Sequence, residues 1–239
     1  LAISTVIQKN LLETCPLEKE KILLLHNGVD VNRFNPEIFD RTLIRKELEV
    51  SDDEILIGMI ARFSPGKGHE EFLYAAKELN KVYTNLKFII VGEASRGENE
   101  YAETIHKLAN DHKLNNLRFT GFRSDAENVL AAMDIFVMPS HSEAFGIALI
   151  EAMAMRLPSV CSNSDGLLDV AVDGVTSFLF EVKNGDDLKK KITPLIESKE
   201  LRLQFGNAAR KRVLENFELE ILTGRVIEIY KQTLEQHQI

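Results

Sequence analysis

The sequence predicts an α/β fold: a doubly wound parallel sheet with helices on both faces and a helical C-terminus. Three observations carry that prediction. Short apolar runs alternate with longer segments of helical spacing. Several runs are apolar almost throughout, as strands covered on both faces are. From Asp186 onward the pattern is helical alone. Alternation at this spacing reads as βαβ units.

The apolar runs occupy 22–25, 55–60, 86–91, 117–120, 135–138, 159–161 and 177–180. Between them, 70–82 places Phe72, Leu73, Ala76 and Leu79 on one stripe, and 103–112 and 125–133 repeat that pattern. Three further helices are expected over 186–196, 201–215 and 219–234. The last presents Ile221, Leu222, Val226, Ile229 and Tyr230, and most of that face is expected to pack on its own sheet.

A chain of 239 residues, 44% hydrophobic and 28% charged, is ordinary for a soluble globular protein and holds one large domain or two small ones. Its formal net charge of −8 argues against a nucleic-acid binder, which needs a basic face, and against broad adhesion to anionic membranes. Cys15 and Cys161 form no CxxC pair, so a zinc or redox motif is not expected; a reducing, cytoplasmic setting fits. Cys161 ends an apolar run and reads as a buried small hydrophobe. No stretch is long enough to span a bilayer, and no signal peptide opens the chain. Leu1 rather than methionine stands first, which suggests a part of a longer protein.

Ligands of such sheets sit beyond the carboxyl ends of the strands, so the residues after each strand matter most. After 55–60 come Arg62 and Lys67, flanking a Pro65-Gly66 turn. The pair has the charge to grip a diphosphate, although alone it reads better as a solvated turn. It is not a P-loop, since no Ser or Thr follows Lys67. Gly92 after 86–91 allows a sharp turn or a close ligand, but no full GxGxxG follows.

The richest stretch runs from Pro139 through Glu143, Phe145, Gly146 and Ile147 to Glu151. Gly146 lies near the expected start of a helix whose free N–H groups would face the crevice and suit a phosphate. Glu143 and Glu151 would accept hydrogen bonds from hydroxyls on either side. Two such carboxylates also suit a glycosidase, and the phosphate-friendly helix end between them favours a transferase. An Asp-x-Asp is absent, so Arg62, Lys67 and the helix end must supply the positive charge. The segment around Asn163, Ser164 and Asp165 reads as an N-cap. The six histidines lack metal-ligand spacing, and no metal site is expected.

These pieces stand in one order: Asn27-Gly28-Val29-Asp30, Arg62…Lys67-Gly68, Val91-Gly92, Gly121-Phe122, Pro139-Ser140, Glu143 and Glu151 with seven residues between, then Asp173-Gly174-Val175-Thr176. The ordered set closely resembles the C-terminal domain of the retaining glycosyltransferases of group 1 (family 4), whose two Rossmann-like domains form the GT-B architecture. The resemblance covers nearly the whole chain. It implies that Arg62 and Lys67 bind the donor diphosphate and stabilise the leaving group, with Glu143 on the donor-sugar hydroxyls. It further implies that the Phe145-Gly146-Ile147 backbone lies beside sugar and phosphates, that Glu151 binds the ribose, and that Gly92, Phe122 and Arg123 border the nucleobase.

No metal or other cofactor is implied; the donor substrate would be a UDP- or GDP-linked sugar. The resemblance divides the chain into a leading segment 1–20, a nucleotide-sugar-binding domain 21–217 and a crossover helix 218–239. The acceptor, a sugar or lipid-linked sugar, would be held by an N-terminal domain that also makes any membrane contact. The chain departs from the family pattern at His26, where proline is usual, at Ala94, where glycine is common, and at Asp165-Gly166…Asp169, in place of a Gly-Gly pair followed by Glu. The alternatives are a nucleotide-sugar epimerase or phosphorylase of the same architecture, and a non-catalytic nucleotide-sugar-binding module.

Overall fold

The structure, a computed structural model, describes residues 1–16 and 18–237; the last two residues of the segment 218–239 lie outside that range. Six strands form one parallel sheet: β1 (Ile55–Ile60), β2 (Leu86–Val91), β3 (Leu117–Phe119), β4 (Ile135–Met138), β5 (Ser159–Ser162) and β6 (Ser177–Phe180). Their order is β3-β2-β1-β4-β5-β6. The order reverses between β1 and β4, so the loops leaving those two strands diverge and open a crevice at the carboxyl edge.

Helices α1 (Thr5–Thr14), α2 (Arg41–Glu47), α3 (His69–Leu79), α4 (Asn99–Asp111) and α5 (Ala126–Ala132) are followed by α6 (Ile147–Ala154), α7 (Leu167–Val170), α8 (Gly185–Glu197), α9 (Lys199–Asn216) and α10 (Leu219–His237). One face of the sheet is covered by Phe72 and Leu79 of α3, Ile105 of α4 and Leu188 of α8. The other is covered by Val129 of α5, Leu149 of α6 and Val213 of α9. Along β1, Ile55, Ile57 and Met59 enter the first core and Leu56 the second. A strand serving two cores has no solvent face, which is why its sequence does not alternate with polar residues. Each such side chain contributes about 1.5–3 kcal/mol when fully buried.

The helices that return to the sheet end on arginines. Arg41 donates to Ala131 O and Met133 O, and Arg45 to Ala132 O, at the end of α5. Arg210 serves Ala154 O of α6, Arg212 serves Val170 O of α7, and Arg202 serves Leu195 O and Ile196 O of α8. The last carbonyls of a helix lack intrahelical donors and form its negative pole, so a guanidinium satisfies both demands. A cavity of about 570 Å³ beneath the amino ends of the strands is lined by Arg41, Asp134, Arg156 and Arg202. Arg41 and Arg202 there are committed to these carbonyls, and Asp134 to Arg41 and Arg45.

Two expectations are corrected. The run 22–25 forms no strand; its pairing is one isolated bridge, Leu24 to Ala2, because α1 starts at Thr5 and leaves no extended partner. Most of the apolar face of α10 is not buried against the sheet: of its residues Leu222 is buried, Ile221, Val226 and Ile229 are half-buried, and Tyr230 is exposed. The helix leaves the domain after its first turn, held by Leu219 N donating to Val29 O. Cys161 is fully buried, as expected. Among the described residues no helix is long and apolar enough to cross a membrane.

Candidate functional site

The loop after β1 carries Arg62 and Lys67, and the loop after β4 carries Glu143, so both flank the crevice. Lys67 Nζ donates to Glu143 Oε2 at 2.7 Å, with the side chains 22% and 19% exposed. At that depth the pair is only weakly screened by salt. Arg62 is exposed, and its Nη1 donates to Ser95 Oγ at 3.0 Å.

Helix α6 begins at the same place. Gly146 caps it at φ 100° and offers no side chain to the first turn, whose leading N–H groups have no intrahelical acceptor. A Cβ on Gly146 would come within 2.6 Å of Leu167 Cδ2. Phe145 turns its ring inward, 1% exposed, and leaves its backbone at the crevice. Arg62, Lys67, Glu143, Phe145, Gly146 and Ile147 thus line one cleft of about 250 Å³.

A second cleft of about 540 Å³ adjoins it and shares Ile60, Ala61 and Arg62. Gly92, Phe122 and Arg123 line it, with Phe122 68% exposed. Gly92 has φ 143°, and a Cβ there would sit 2.0 Å from Ala61 O, so the close approach of the two loops requires glycine. Arg123 is bound by Asp125 through Nε and Nη2 and by Glu47 through Nη1, each at 2.7 Å. Those hydrogen bonds raise the guanidinium above its ordinary range, and the one from Arg123 holds Asp125 at about 2. Arg123 therefore borders the cleft as a fixed wall.

Glu151 lines neither cleft. It lies inside α6 near Arg33 and Glu127, which pair with each other at 2.8 Å. Burial raises its carboxyl to about 7, partly opposed by the charge of Arg33. Sequence reasoning missed Ser95, which supports Arg62, because a lone loop serine carries no signal. It quoted Asn27 in the ordered set without giving it a role and missed Ile3; both line the smaller cleft.

Two of the departures from the family pattern, His26 and Asp169, meet each other. His26 stacks on Phe145 with ring centroids 5.4 Å apart, and its Nε2 lies 3.3 Å from Asp169 Oδ2. Asp169 also accepts from Thr5 N and Thr5 Oγ1, both at 2.6 Å, placing a carboxylate at the positive end of α1. Asp165 holds φ 44°, a conformation natural to glycine, and accepts a hydrogen bond from Ser142. Replacing His26 by alanine is expected to lower stability by about 1 kcal/mol through lost stacking and one hydrogen bond. A melting temperature lower by about 2–4 °C checks it.

Comparison with known proteins shows the family and the fold. The family model described as glycosyl transferases group 1 matches residues 40–212. The capsular polysaccharide biosynthesis glycosyltransferase CapM of Staphylococcus aureus is 27% identical over 240 residues, covering 99% of this chain and 62% of the relative. The UDP-Gal:alpha-D-GlcNAc-diphosphoundecaprenol alpha-1,3-galactosyltransferase of Escherichia coli is 28% identical over 221 residues, covering 88% of this chain and 54% of the relative. The crystal structure of Anabaena Alr3699/HepE in complex with UDP and glucose superposes with a TM-score of 0.88 at 25% identity, covering 96% of this chain and 62% of that one. The chain thus spans between half and two thirds of the length of these relatives.

Proposed function

The chain belongs to the glycosyl transferases of group 1, and on that premise we propose that it is the donor-binding domain of a retaining, metal-independent hexosyltransferase. The observation that carries the reading is the Lys67–Glu143 pair at the amino end of α6, with Arg62 across the same cleft. Three sources of positive charge converge where a diphosphate would lie, and a carboxylate stands beside them for sugar hydroxyls. The adjoining cleft, walled by Phe122 and Arg123 and floored by Gly92, takes the nucleobase. Glu151 binds the ribose from the flank of α6.

Chemically, the donor C1–O bond to the diphosphate breaks as the acceptor hydroxyl attacks C1, and the hydroxyl proton passes to the leaving phosphate oxygen. Arg62, Lys67 and the helix end stabilise the charge that builds on that phosphate. A UDP-linked donor and a sugar or lipid-linked acceptor are favoured by the name of the Escherichia coli relative. The acceptor is held by a further domain outside this chain, which the share of the relatives' length supports. On this reading 1–20 leads into the donor domain 21–217, and 218–239 crosses toward the acceptor domain. The incomplete burial of the apolar face of α10, with Tyr230 exposed, supports that assignment. The setting is cytoplasmic, with any membrane contact made through the acceptor domain.

Calorimetric titration with UDP, GDP and ADP, each with and without EDTA, tests the proposal. One nucleotide is expected to bind without metal, and Arg62→Ala to weaken it about tenfold, one charge-assisted hydrogen bond's worth. Binding abolished by EDTA, or indifferent to Arg62, rejects the reading. Sugar transfer by this chain alone would refute the divided site.

A further inference from the structure

We propose that His141, anchored on Glu71, is a positioning residue for Lys67, an inference that rests on reading Lys67 as a diphosphate ligand. Lys67 stands between Gly66 at φ 84° and Gly68 at φ 79°. Glycines in that region give the turn little rigidity of its own. The Lys67 side chain is tied to Glu143, but Glu143 belongs to a second loop, the one after β4. A grip shared by two loops keeps its geometry only if something fixes one loop against the other.

His141 does so from the loop after β4, two positions before Glu143. Its backbone N–H donates to Gly66 O at 2.8 Å, next to Lys67 in the chain. Its ring reaches α3, where Nε2 donates to Glu71 Oε1 at 2.9 Å. A carboxylate only accepts, so the hydrogen of that contact lies on Nε2. The backbone bond alone would leave the loop free to hinge about one point; the ring adds a second anchor on a different element. Glu71 lies in the first turn of α3, four residues after Lys67, so this anchor bears on the same stretch of chain. Glu71 is itself buried, and its Oε2 has no hydrogen-bond partner among the described residues, so the bond from His141 is what satisfies the carboxylate. Losing that donor leaves a buried carboxylate unpaired beside the Lys67 turn, and the turn must shift to relieve it. On the far side of the same loop, Gly166 N donates to Glu143 O at 2.9 Å. His141 supplies the corresponding hold on the side of Lys67. A lysine whose turn and partner are already fixed loses less freedom when a ligand arrives.

The test is a set of double-mutant cycles on affinity for whichever of UDP, GDP and ADP the protein binds. Titrations are run well below every variant's melting temperature, so that a loss of global stability does not enter the affinity. His141→Ala is expected to weaken binding about fivefold when Lys67 is present and to leave it unchanged in the Lys67→Ala background. The fivefold loss should persist in the Arg62→Ala background, because Arg62 is held elsewhere, by Ser95. Glu71→Ala should reproduce both results. His141→Gln, whose amide can still donate to Glu71, should recover most of the affinity. An equal loss with and without Lys67, or no recovery by a folded His141→Gln, overturns the positioning role. If Lys67→Ala weakens binding while His141→Ala is neutral, the donor-site reading stands and only this inference fails. If no nucleotide binds at all, both fail.

Discussion

Lys67→Ala is expected to weaken binding of a nucleoside diphosphate about a hundredfold, whereas Glu143→Gln is expected to tighten it about threefold. The opposite signs follow from one contact. The Lys67 ammonium has three donors, and one is held by Glu143 Oε2 at 2.7 Å. A diphosphate arriving at the cleft shares the remaining donors and faces the Glu143 carboxylate beside them. Removing Lys67 takes away a charge-assisted hydrogen bond, about 1.5–3 kcal/mol. It also leaves Glu143 unpaired and repelling the ligand, which carries the loss toward two orders of magnitude. Glutamine at 143 keeps an oxygen for Lys67 and removes the repulsion. For a nucleotide sugar the same substitution should weaken binding, because the sugar hydroxyls lose a charged acceptor. Calorimetry with the bare diphosphate and the sugar nucleotide side by side checks both. Changes of the same sign for Lys67→Ala and Glu143→Gln on the bare diphosphate would sink the account.

The sheet was legible because its strands carry their burial in their own residues: Ile55 to Ile60 must be covered on both faces, and it is. The run 22–25 is as apolar, yet strand formation needs a partner, and α1 leaves only Ala2 to provide one. The same limit hid the fate of α10, whose apolar face is plain in sequence while its direction is set at Val29 and Leu219. In the site, the loops bearing Arg62, Lys67 and Glu143 were found because a parallel sheet gathers the residues after its strands at one edge. The contact between His26 and Asp169, 143 positions apart, carries no local periodicity and was seen only as two separate oddities. The arginines that close α5 to α8 escaped notice for the same reason: their acceptors are carbonyls, which every residue has.

Glu151→Gln is expected to stabilise the protein above pH 7 while weakening its hold on nucleotide. The folded carboxyl titrates near 7 against an ordinary 4.5, raised first by burial. Between those values the folded state keeps a proton that the unfolded state has lost, so stability falls as pH rises through that window and stays lower above it. The separation corresponds to as much as about 3 kcal/mol, which a neutral amide of the same shape avoids. The melting temperature of Glu151→Gln should therefore exceed that of the unsubstituted protein at pH 8 and match it near pH 4.5. Binding runs the other way. A ribose diol donates two hydrogen bonds and prefers the ionised carboxylate, so affinity should climb between pH 5 and 7 and level off above. A sugar nucleotide is the ligand to use, since a terminal phosphate with a pKa of about 6 would titrate in the same range. Glu151→Gln should flatten that profile at a lower affinity. A carboxylate retained against its own burial cost is what a ligand-binding role demands; a variant both more stable at pH 8 and undiminished in affinity would remove Glu151 from the site.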